Sequence, residues 1–332
     1  MITLQKKPGK DFIILNLTDP QLLTEEWAEG RQERAILIYT LTELVKTVDP
    51  DLITITGDFA AAGHFESYEA MAQLFDSFGR PWAPVWGNHD NQGSAEDVDI
   101  VVNRYLTHPY CIYEKGDPAL GNGNYVIAIE ENGKIVEGIL MMDSHDRMPY
   151  TAEDGTESLA WAKLIPEQLV WYREQIKMLE SLGCHDTTLM LHIPIYAYRK
   201  AWAAAFSSAV DPASVKPEDS ADPGNWNMGY TDSYGVKYEG ICSYPEDEGM
   251  FDVITELGST KHIVCGHDHV NNFVIRYKGV KFIYSLKTGA GCYWNPALNG
   301  GTVLSVTENG VTDVHHQFVD ATTVMHGQKQ EI

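Results

Sequence analysis

Five short polar segments, each placed directly after an apolar run, constrain this 332-residue chain more than any other feature. The segments are Thr18-Asp19-Pro20-Gln21, Gly57-Asp58, Gly87-Asn88-His89-Asp90, Leu191-His192-Ile193-Pro194 and Gly266-His267-Asp268-His269. Short apolar runs bounded by turn residues indicate buried strands. The carboxyl ends of strands in an open α/β sheet gather along one edge, so residues about 250 positions apart can meet in one pocket. We therefore expect a single domain over residues 1–332.

The stretches between these segments show the alternation of strands and helices that is typical of an α/β fold. The predicted elements are strands at Phe12–Leu17, Asp51–Thr56, Pro81–Trp86, Thr187–His192 and Lys261–Cys265, helices at Arg31–Val48, Phe65–Phe78 and Pro166–Leu182, and hairpins joining Asn124–Glu130 to Ile135–Asp143, joining Asn272–Tyr277 to Val280–Leu286, and flanking Glu308-Asn309-Gly310. Residues from about 210 to 248 have no sustained period, and we expect them to form an ordered loop insertion that is a candidate lid.

Charge and cysteine content exclude several classes of function. A net charge of −23, without a run of Lys or Arg, would repel a long nucleic acid, although an acidic surface also serves solubility alone. The five cysteines are far apart and contain no Cys-x-x-Cys pair, which argues against a disulfide framework or a zinc ribbon. The apolar run near the N-terminus is too short for a signal peptide or a membrane span. We expect a cytoplasmic protein without a membrane partner; its oligomeric state is not predicted.

The five segments together supply carboxylates, imidazoles and an amide. Two cations about 3.5–4 Å apart need a bridging anion with oxygen and nitrogen donors on each side, and this mixture suits Mn, Fe or Zn. Taken singly, Asp19 and Asp58 could instead be helix N-caps, and His192 could be a buried core histidine. Five such segments at strand ends favour a centre of two metal ions.

The order of the segments resembles that of the calcineurin-like metallophosphoesterases, a family that includes purple acid phosphatases and cyclic-nucleotide phosphodiesterases. Gly87-Asn88-His89-Asp90 followed by Gly266-His267-Asp268-His269 carries most of the resemblance, which spans residues 19 to 269. It implies a four-layer α/β sandwich of two mixed β-sheets flanked by helices. It also implies hydrolysis of a phosphate ester, either a monoester or a diester, by a hydroxide that bridges the two ions.

The resemblance assigns residues to both ions and to proton transfer. One ion is held by Asp19, Asp58 and His269, and the other by Asp58, Asn88, His192 and His267, so that Asp58 bridges them. His89 is left to protonate the leaving oxygen, because an imidazole carries a proton near neutral pH. Adjacent Asp90 is expected to orient the ring of His89 or to raise its pKa.

This chain departs from the family pattern at Gln21, where the family usually has His. An amide oxygen coordinates more weakly than an imidazole, and we expect Gln21 to ligate directly or through a water. Purple acid phosphatases also lack that His and use a Tyr three residues after the bridging Asp, but Ala61 stands there in this chain. The alternative to an enzyme is therefore a binding or scaffold protein that keeps the fold without turnover.

The expected partner is a small phosphate ester. Tyr293 and Trp294 are candidate substrate contacts, because their loop follows Gly266-His267-Asp268-His269 closely and aromatic faces accept flat ligands. Such residues more often pin a long loop in place, and this reading stays open beside the functional one.

Overall fold

Two mixed β-sheets and the helices that cover them make up the computed structural model, which describes residues 1–327. The strands are β1 (Ile2–Gln5), β2 (Phe12–Leu17), β3 (Leu52–Thr56), β4 (Trp82–Val85), β5 (Tyr125–Glu131), β6 (Lys134–Met141), β7 (Arg147–Thr151), β8 (Glu157–Trp161), β9 (Thr187–Met190), β10 (Tyr234–Lys237), β11 (Thr260–Cys265), β12 (Asn271–Tyr277), β13 (Val280–Tyr284), β14 (Gly300–Thr307) and β15 (Gly310–Phe318). The helices are α1 (Gln32–Val48), α2 (Phe65–Ser77), α3 (Asn88–Asn91), α4 (Ala95–Tyr105), α5 (Pro166–Ser181), α6 (Ala197–Ala205), α7 (Met250–Leu257) and α8 (Thr322–Gly327).

The large sheet has eight strands in the order β1-β5-β6-β9-β11-β13-β12-β10, and the small sheet has five in the order β15-β14-β2-β3-β4. Strands β2, β3 and β4 run parallel, as do β6, β9, β11 and β13. All residues of β3 and β9 are buried, as expected of strands covered on both faces. These parallel strands carry the five polar segments at their carboxyl ends.

Neighbouring side chains of the large sheet point into two different buried clusters, because residues alternate between the faces of a strand. Met190 and Val264 pack in the cluster that contains the small sheet, α1, α2 and α4. Leu189 and Ile263, one position earlier in each strand, pack in a cluster with α5, α6 and α7. The two sheets thus lie face to face with helices outside each, and the predicted four-layer α/β sandwich is confirmed.

The segment from about 210 to 248 is more regular than expected. Its strand β10 pairs antiparallel with β12 and forms an edge of the large sheet. Gly235 is required there, because a Cβ at this position would lie 1.8 Å from the carbonyl oxygen of Asn272. Trp226 is buried against Trp202 and Phe206. The predicted ordered loop insertion therefore contains a strand that was not predicted, because Tyr234-Gly235-Val236-Lys237 has no apolar run.

Several other elements were not predicted, namely β1, β7, β8, α3, α4, α6, α7 and α8. Helix α4 begins with a capping box, in which Ser94 Oγ accepts from Asp97 N and the Asp97 carboxylate accepts from Ser94 N. Strands β7 and β8 form a separate two-stranded sheet whose residues are mostly exposed, so they lack an apolar run. Among the described residues the five cysteines form no disulfide, and no helix combines the length and apolar character needed to cross a membrane.

A buried carboxyl group lies on β6, near the amino-terminal end of the neighbouring strand β9. Glu137 accepts hydrogen bonds from Thr188 Oγ1 at 2.9 Å and from Val311 N at 3.1 Å. Burial raises the pKa of Glu137 to about 8. Between the ordinary carboxyl pKa and about pH 8, Glu137 is therefore protonated in the folded protein and ionised in the unfolded chain.

We predict that Glu137→Gln reduces the pH dependence of stability. With a raised folded pKa, the contribution of Glu137 is fully present below the unfolded pKa and is lost as pH rises through about 8. Thermal unfolding at pH 5 and pH 8 should show a smaller loss of stability for the variant, by up to a few kcal/mol. Equal losses in the variant and the natural chain would contradict this.

Candidate metal centre

Backbone hydrogen bonds join neighbouring strand ends within each sheet, and His192 of the large sheet contacts Thr56 O of the small sheet. Asp19 N donates to Gly57 O at 3.0 Å, and Gly266 N donates to His192 O at 3.1 Å. Gly57 has a φ of +86°, and a Cβ there would lie 2.5 Å from the ring of His192. The glycine therefore permits a close approach between the ends of β3 and β9 that another residue would block.

The ligand atoms of five predicted residues form two overlapping groups. Asp19, Asp58 and His269 make one group and Asp58, His192 and His267 the other, with the atoms of each group within 4.8 Å of one another. All five side chains are buried. The grouping coincides with the two ligand sets that the family resemblance implies, and Asp58 belongs to both. Metal binding by these residues stays a prediction.

Two histidines each have a backbone carbonyl oxygen beside Nδ1, which favours the orientation that a metal ligand requires. His192 Nδ1 lies 2.7 Å from Thr56 O, which leaves Nε2 facing Asp58 Oδ2 at 3.2 Å. His269 Nδ1 lies 2.8 Å from Tyr293 O, which leaves Nε2 3.4 Å from Asp19 Oδ1. A backbone carbonyl that accepts from one ring nitrogen directs the other toward an ion.

The remaining predicted ligands lie against this cluster. Asn88 Oδ1 is 3.0 Å from His192 Nε2. Gln21 N donates to Asp58 O at 2.9 Å, and the side chain of Gln21 is buried. Buried atoms without a hydrogen-bond partner in the described part of the chain include Asp19 Oδ1, Gln21 Oε1 and His267 Nε2. Unpaired buried donors and acceptors are costly, and bound cations would satisfy them.

Four of these residues have a strained backbone. The φ angles are 53° at Asp19, 43° at Gln21, 53° at Asp58 and 84° at His267. Left-handed conformations are uncommon for residues other than glycine, and strain of this kind clusters at functional sites, where the surrounding structure maintains it. Gln21 shares this conformation with the other three residues of the cluster.

Electrostatics in the cluster is dominated by two buried carboxylates. Burial alone would raise the pKa values of Asp19 and Asp58, but His192 and the other nearby positive groups hold both below their ordinary range. Burial opposes charge on His192, yet the two carboxylates outweigh it and raise the pKa of His192 to about 10. A cation bound here would take over the role of that proton, because metal ligands bind as the neutral imidazole.

Asp90 has a different role from the one expected. Its carboxylate accepts from the backbone N–H groups of Asp58, Phe59 and Gly87, at 2.8, 3.1 and 2.8 Å, and from the hydroxyl of Tyr68 at 2.8 Å. The ring of His89 instead has its Nδ1 3.1 Å from Gln92 Oε1. The expectation that Asp90 orients the His89 ring is therefore corrected: Asp90 positions the loops that carry Asp58 and Asn88.

The two aromatic candidates lie in different surroundings. Tyr293 stacks on the ring of His269, with centroids 4.2 Å apart and planes inclined by 16°. Trp294 packs against a small buried cluster that contains Ile36 and Ala321. The structure gives Trp294 the packing role that the sequence left open, whereas Tyr293 stays a candidate substrate contact.

Two neighbours of the cluster were not found from the sequence. Buried Lys287 donates from Nζ to the backbone oxygen of Asp19, and burial lowers its pKa to about 8. Trp161, from β8, contacts the His267 ring with centroids 4.4 Å apart. Lys287 follows β13, which runs parallel to β11, so the strand-end argument could have found it. Trp161 lies in the exposed β7–β8 hairpin, whose sequence has no buried apolar run to indicate a strand end.

We predict that Asp90→Asn destabilises the protein, because an amide NH₂ would face buried N–H donors in place of a carboxylate oxygen. The cost should be about 1–3 kcal/mol for each donor left unpaired, measured by chemical or thermal unfolding. The control Gln92→Ala should change stability little, since its side chain contacts the half-exposed His89. If Asp90→Asn instead keeps its stability and changes the pH profile of turnover, the expectation that Asp90 acts on His89 would be restored.

Comparison with known proteins places the chain among phosphoesterases. The family model described as calcineurin-like phosphoesterase matches residues 13–271. An Arabidopsis thaliana protein named "Probable inactive purple acid phosphatase 28" is 25% identical over 77% of this chain and 62% of its own length. The Saccharomyces cerevisiae protein named "Phosphatase DCR2" is 26% identical over 70% of this chain and 38% of its own length.

Solved structures agree in fold. A dimetal phosphatase from Danio rerio superposes with a TM-score of 0.52 at 12% identity, covering 93% of this chain and 99% of the other. Identity this low supports a shared fold and nothing further. The chain spans about three fifths or less of the length of the curated relatives named above.

Proposed function

Because the chain belongs to the calcineurin-like phosphoesterase family, we propose that it hydrolyses a phosphate ester at a centre of two metal ions. The observation that carries the proposal is the pair of overlapping ligand groups that share Asp58. The donor set of carboxylates, imidazoles and an amide fits Mn, Fe or Zn better than Mg or Ca, which prefer oxygen ligands alone.

The residues of the chain divide into holding and proton-transfer roles. Asp19, Asp58, His269 and Gln21 would hold one ion, and Asp58, Asn88, His192 and His267 the other. Ions in these positions would activate a water and neutralise the phosphoryl oxygens. Asp90 and Lys287 position the ligand loops, through the backbone of Asp58 and of Asp19 respectively.

In this proposal His89 protonates the leaving alkoxide. Its backbone N–H donates to Asp58 Oδ1 at 2.9 Å, so the residue lies beside the shared ligand. Its side chain is half-buried, and Nε2 has no hydrogen-bond partner in the described part of the chain. As the phosphorus–oxygen bond breaks, the imidazolium gives its proton to the alkoxide and is recharged from solvent.

The second candidate function is binding without turnover. It is favoured by Gln21 in place of the usual His, by Ala61 in place of the alternative Tyr, and by the word "inactive" in the printed names of several relatives. The strained backbone and the buried, unpaired Oε1 of Gln21 favour the catalytic reading, because both are costly without a ligand.

The direct test is hydrolysis of p-nitrophenyl phosphate and bis-p-nitrophenyl phosphate by metal-free protein supplied with Mn, Fe or Zn. We expect turnover that depends on added metal and is abolished by a chelator, and the preferred ester will distinguish a monoesterase from a diesterase. Absence of turnover with every metal, despite stoichiometric binding, would establish the binding function instead.

The role of His89 is tested by His89→Ala. We expect the rate to fall by roughly 10²-fold or more, as for the loss of a general acid, while elemental analysis shows unchanged metal content. An unchanged rate would remove His89 from the mechanism.

The role of Gln21 is tested by comparing Gln21→His with Gln21→Ala. An imidazole should strengthen binding of the ion held with Asp19 and His269, and removal of the amide should weaken it. Calorimetric metal titration measures both effects without relying on turnover. Equal affinities in Gln21→Ala and the natural chain would show that Gln21 is not a ligand.

A further inference from the structure

A cleft of about 720 Å³ lies beside the candidate metal centre, between the β7–β8 hairpin and the segment that follows β10. Its walls include Arg147, Trp161, Arg199, Trp202, Lys237 and Cys242. The volume is within the range of pockets that bind small molecules. No residue of this cleft belongs to the five polar segments.

The cleft adjoins the loop that carries His267. Trp161, in the cleft wall, meets the His267 ring nearly at right angles, with an angle of 84° between the planes. On the other wall, Cys242 N donates to Asp268 Oδ2 at 3.0 Å. A molecule whose phosphate reached the metal centre could therefore extend its other end into the cleft.

Three cationic side chains line this cleft, and no carboxylate does. Within residues 1–327, none of Arg147, Arg199 and Lys237 forms a salt bridge, although the chain has 47 acidic residues for 24 Lys and Arg. In such an acidic protein, three cations without a salt bridge around one concavity favour the binding of an anion there.

The cations are held by groups that leave their charge available. Arg147 lies over the indole of Trp161, 3.8 Å from the ring centroid. Arg199 donates to Ser243 O at 3.1 Å and Lys237 to Glu239 O at 3.2 Å. Aromatic faces and single carbonyl oxygens orient a cation without neutralising it.

The two tryptophan rings of the cleft, Trp161 and Trp202, already stack on other side chains with one face. One face of Trp161 is covered by Arg147. Trp202 stacks on Phe206, with centroids 4.5 Å apart and planes inclined by 16°. Recognition in this cleft therefore depends on charge more than on stacking.

We propose that this cleft binds a second anionic group, a carboxylate or a phosphate, on the leaving group of the phosphate ester. The proposal rests on the proposed function, since it names the class of substrate that the centre hydrolyses. Arg147 and Arg199 provide planar guanidinium groups that suit either anion, and Lys237 adds a point charge.

The test compares esters that differ only in the charge of the leaving group. 4-Carboxyphenyl phosphate and 4-phosphonophenyl phosphate carry a second anion, and 4-carbamoylphenyl phosphate is a neutral match of the first. The test variant is Arg147→Gln/Arg199→Gln/Lys237→Gln. The control variant Lys46→Gln/Lys134→Gln/Lys177→Gln removes the same total charge from exposed positions outside the cleft.

We expect the natural chain to prefer an anionic ester over the neutral one by about tenfold or more in kcat/KM, and the preference to approach one in the cleft variant but not in the control. Of the two anionic esters, the one with the higher kcat/KM shows whether the cleft prefers a carboxylate or a phosphate-like anion. Metal content confirms that the cleft variant retains a folded centre. The proposal is overturned if the natural chain has nearly equal kcat/KM values for the anionic and neutral esters. It is also overturned if the cleft variant keeps the preference of the natural chain.

Failure of the proposed function gives a different result. If no ester is hydrolysed, calorimetry still measures the affinity of the protein for 4-carboxyphenyl phosphate and 4-carbamoylphenyl phosphate. Tighter binding of the carboxylate that is lost in the cleft variant supports an anion site in a protein without turnover. Equal binding of the two compounds overturns the cleft proposal as well.

Discussion

The burial of two carboxylates side by side, Asp19 and Asp58, is the constraint on which the rest of this structure depends. Such a pair is tolerable only when positive charge surrounds it. In the described chain that charge comes from His192 and Lys287. The protein keeps this costly arrangement at the meeting point of two sheets, where several strained residues contribute to it. We infer that bound cations are the reason for it.

The same constraint explains the structural features around the ligands. Three backbone N–H groups donate to Asp90, and this holds the loop after β3 against the loop after β4. Carbonyl oxygens of Thr56 and Tyr293 orient two imidazoles. These contacts come from residues on both sheets, so the site and the sandwich are stabilised by the same interactions. Farther out, the cleft holds three cations without a salt bridge, at which we propose an anion binds.

Much of this arrangement could be predicted from the sequence, because its signal is local. Each ligand follows a short apolar strand, and parallel strands bring their carboxyl ends to one edge. The role of Asp90 could not be predicted, since a carboxylate beside a histidine in sequence points here to backbone groups of another loop. Arg147 and Trp161 were missed because the exposed β7–β8 hairpin has no buried face to impose a pattern. Strand β10 was missed because Gly235 and Lys237 interrupt any apolar run.

Anomalous scattering from crystals of this protein loaded with Mn tests most directly whether two metal ions share Asp58. We expect two peaks about 3.5–4 Å apart, both beside the carboxylate of Asp58. One of the two peaks should lie near Gln21. A single peak held by Asp58, His192 and His267 would show that the replacement of His by Gln at position 21 has removed one of the two sites. Absence of any peak at Asp58 would contradict the account as a whole.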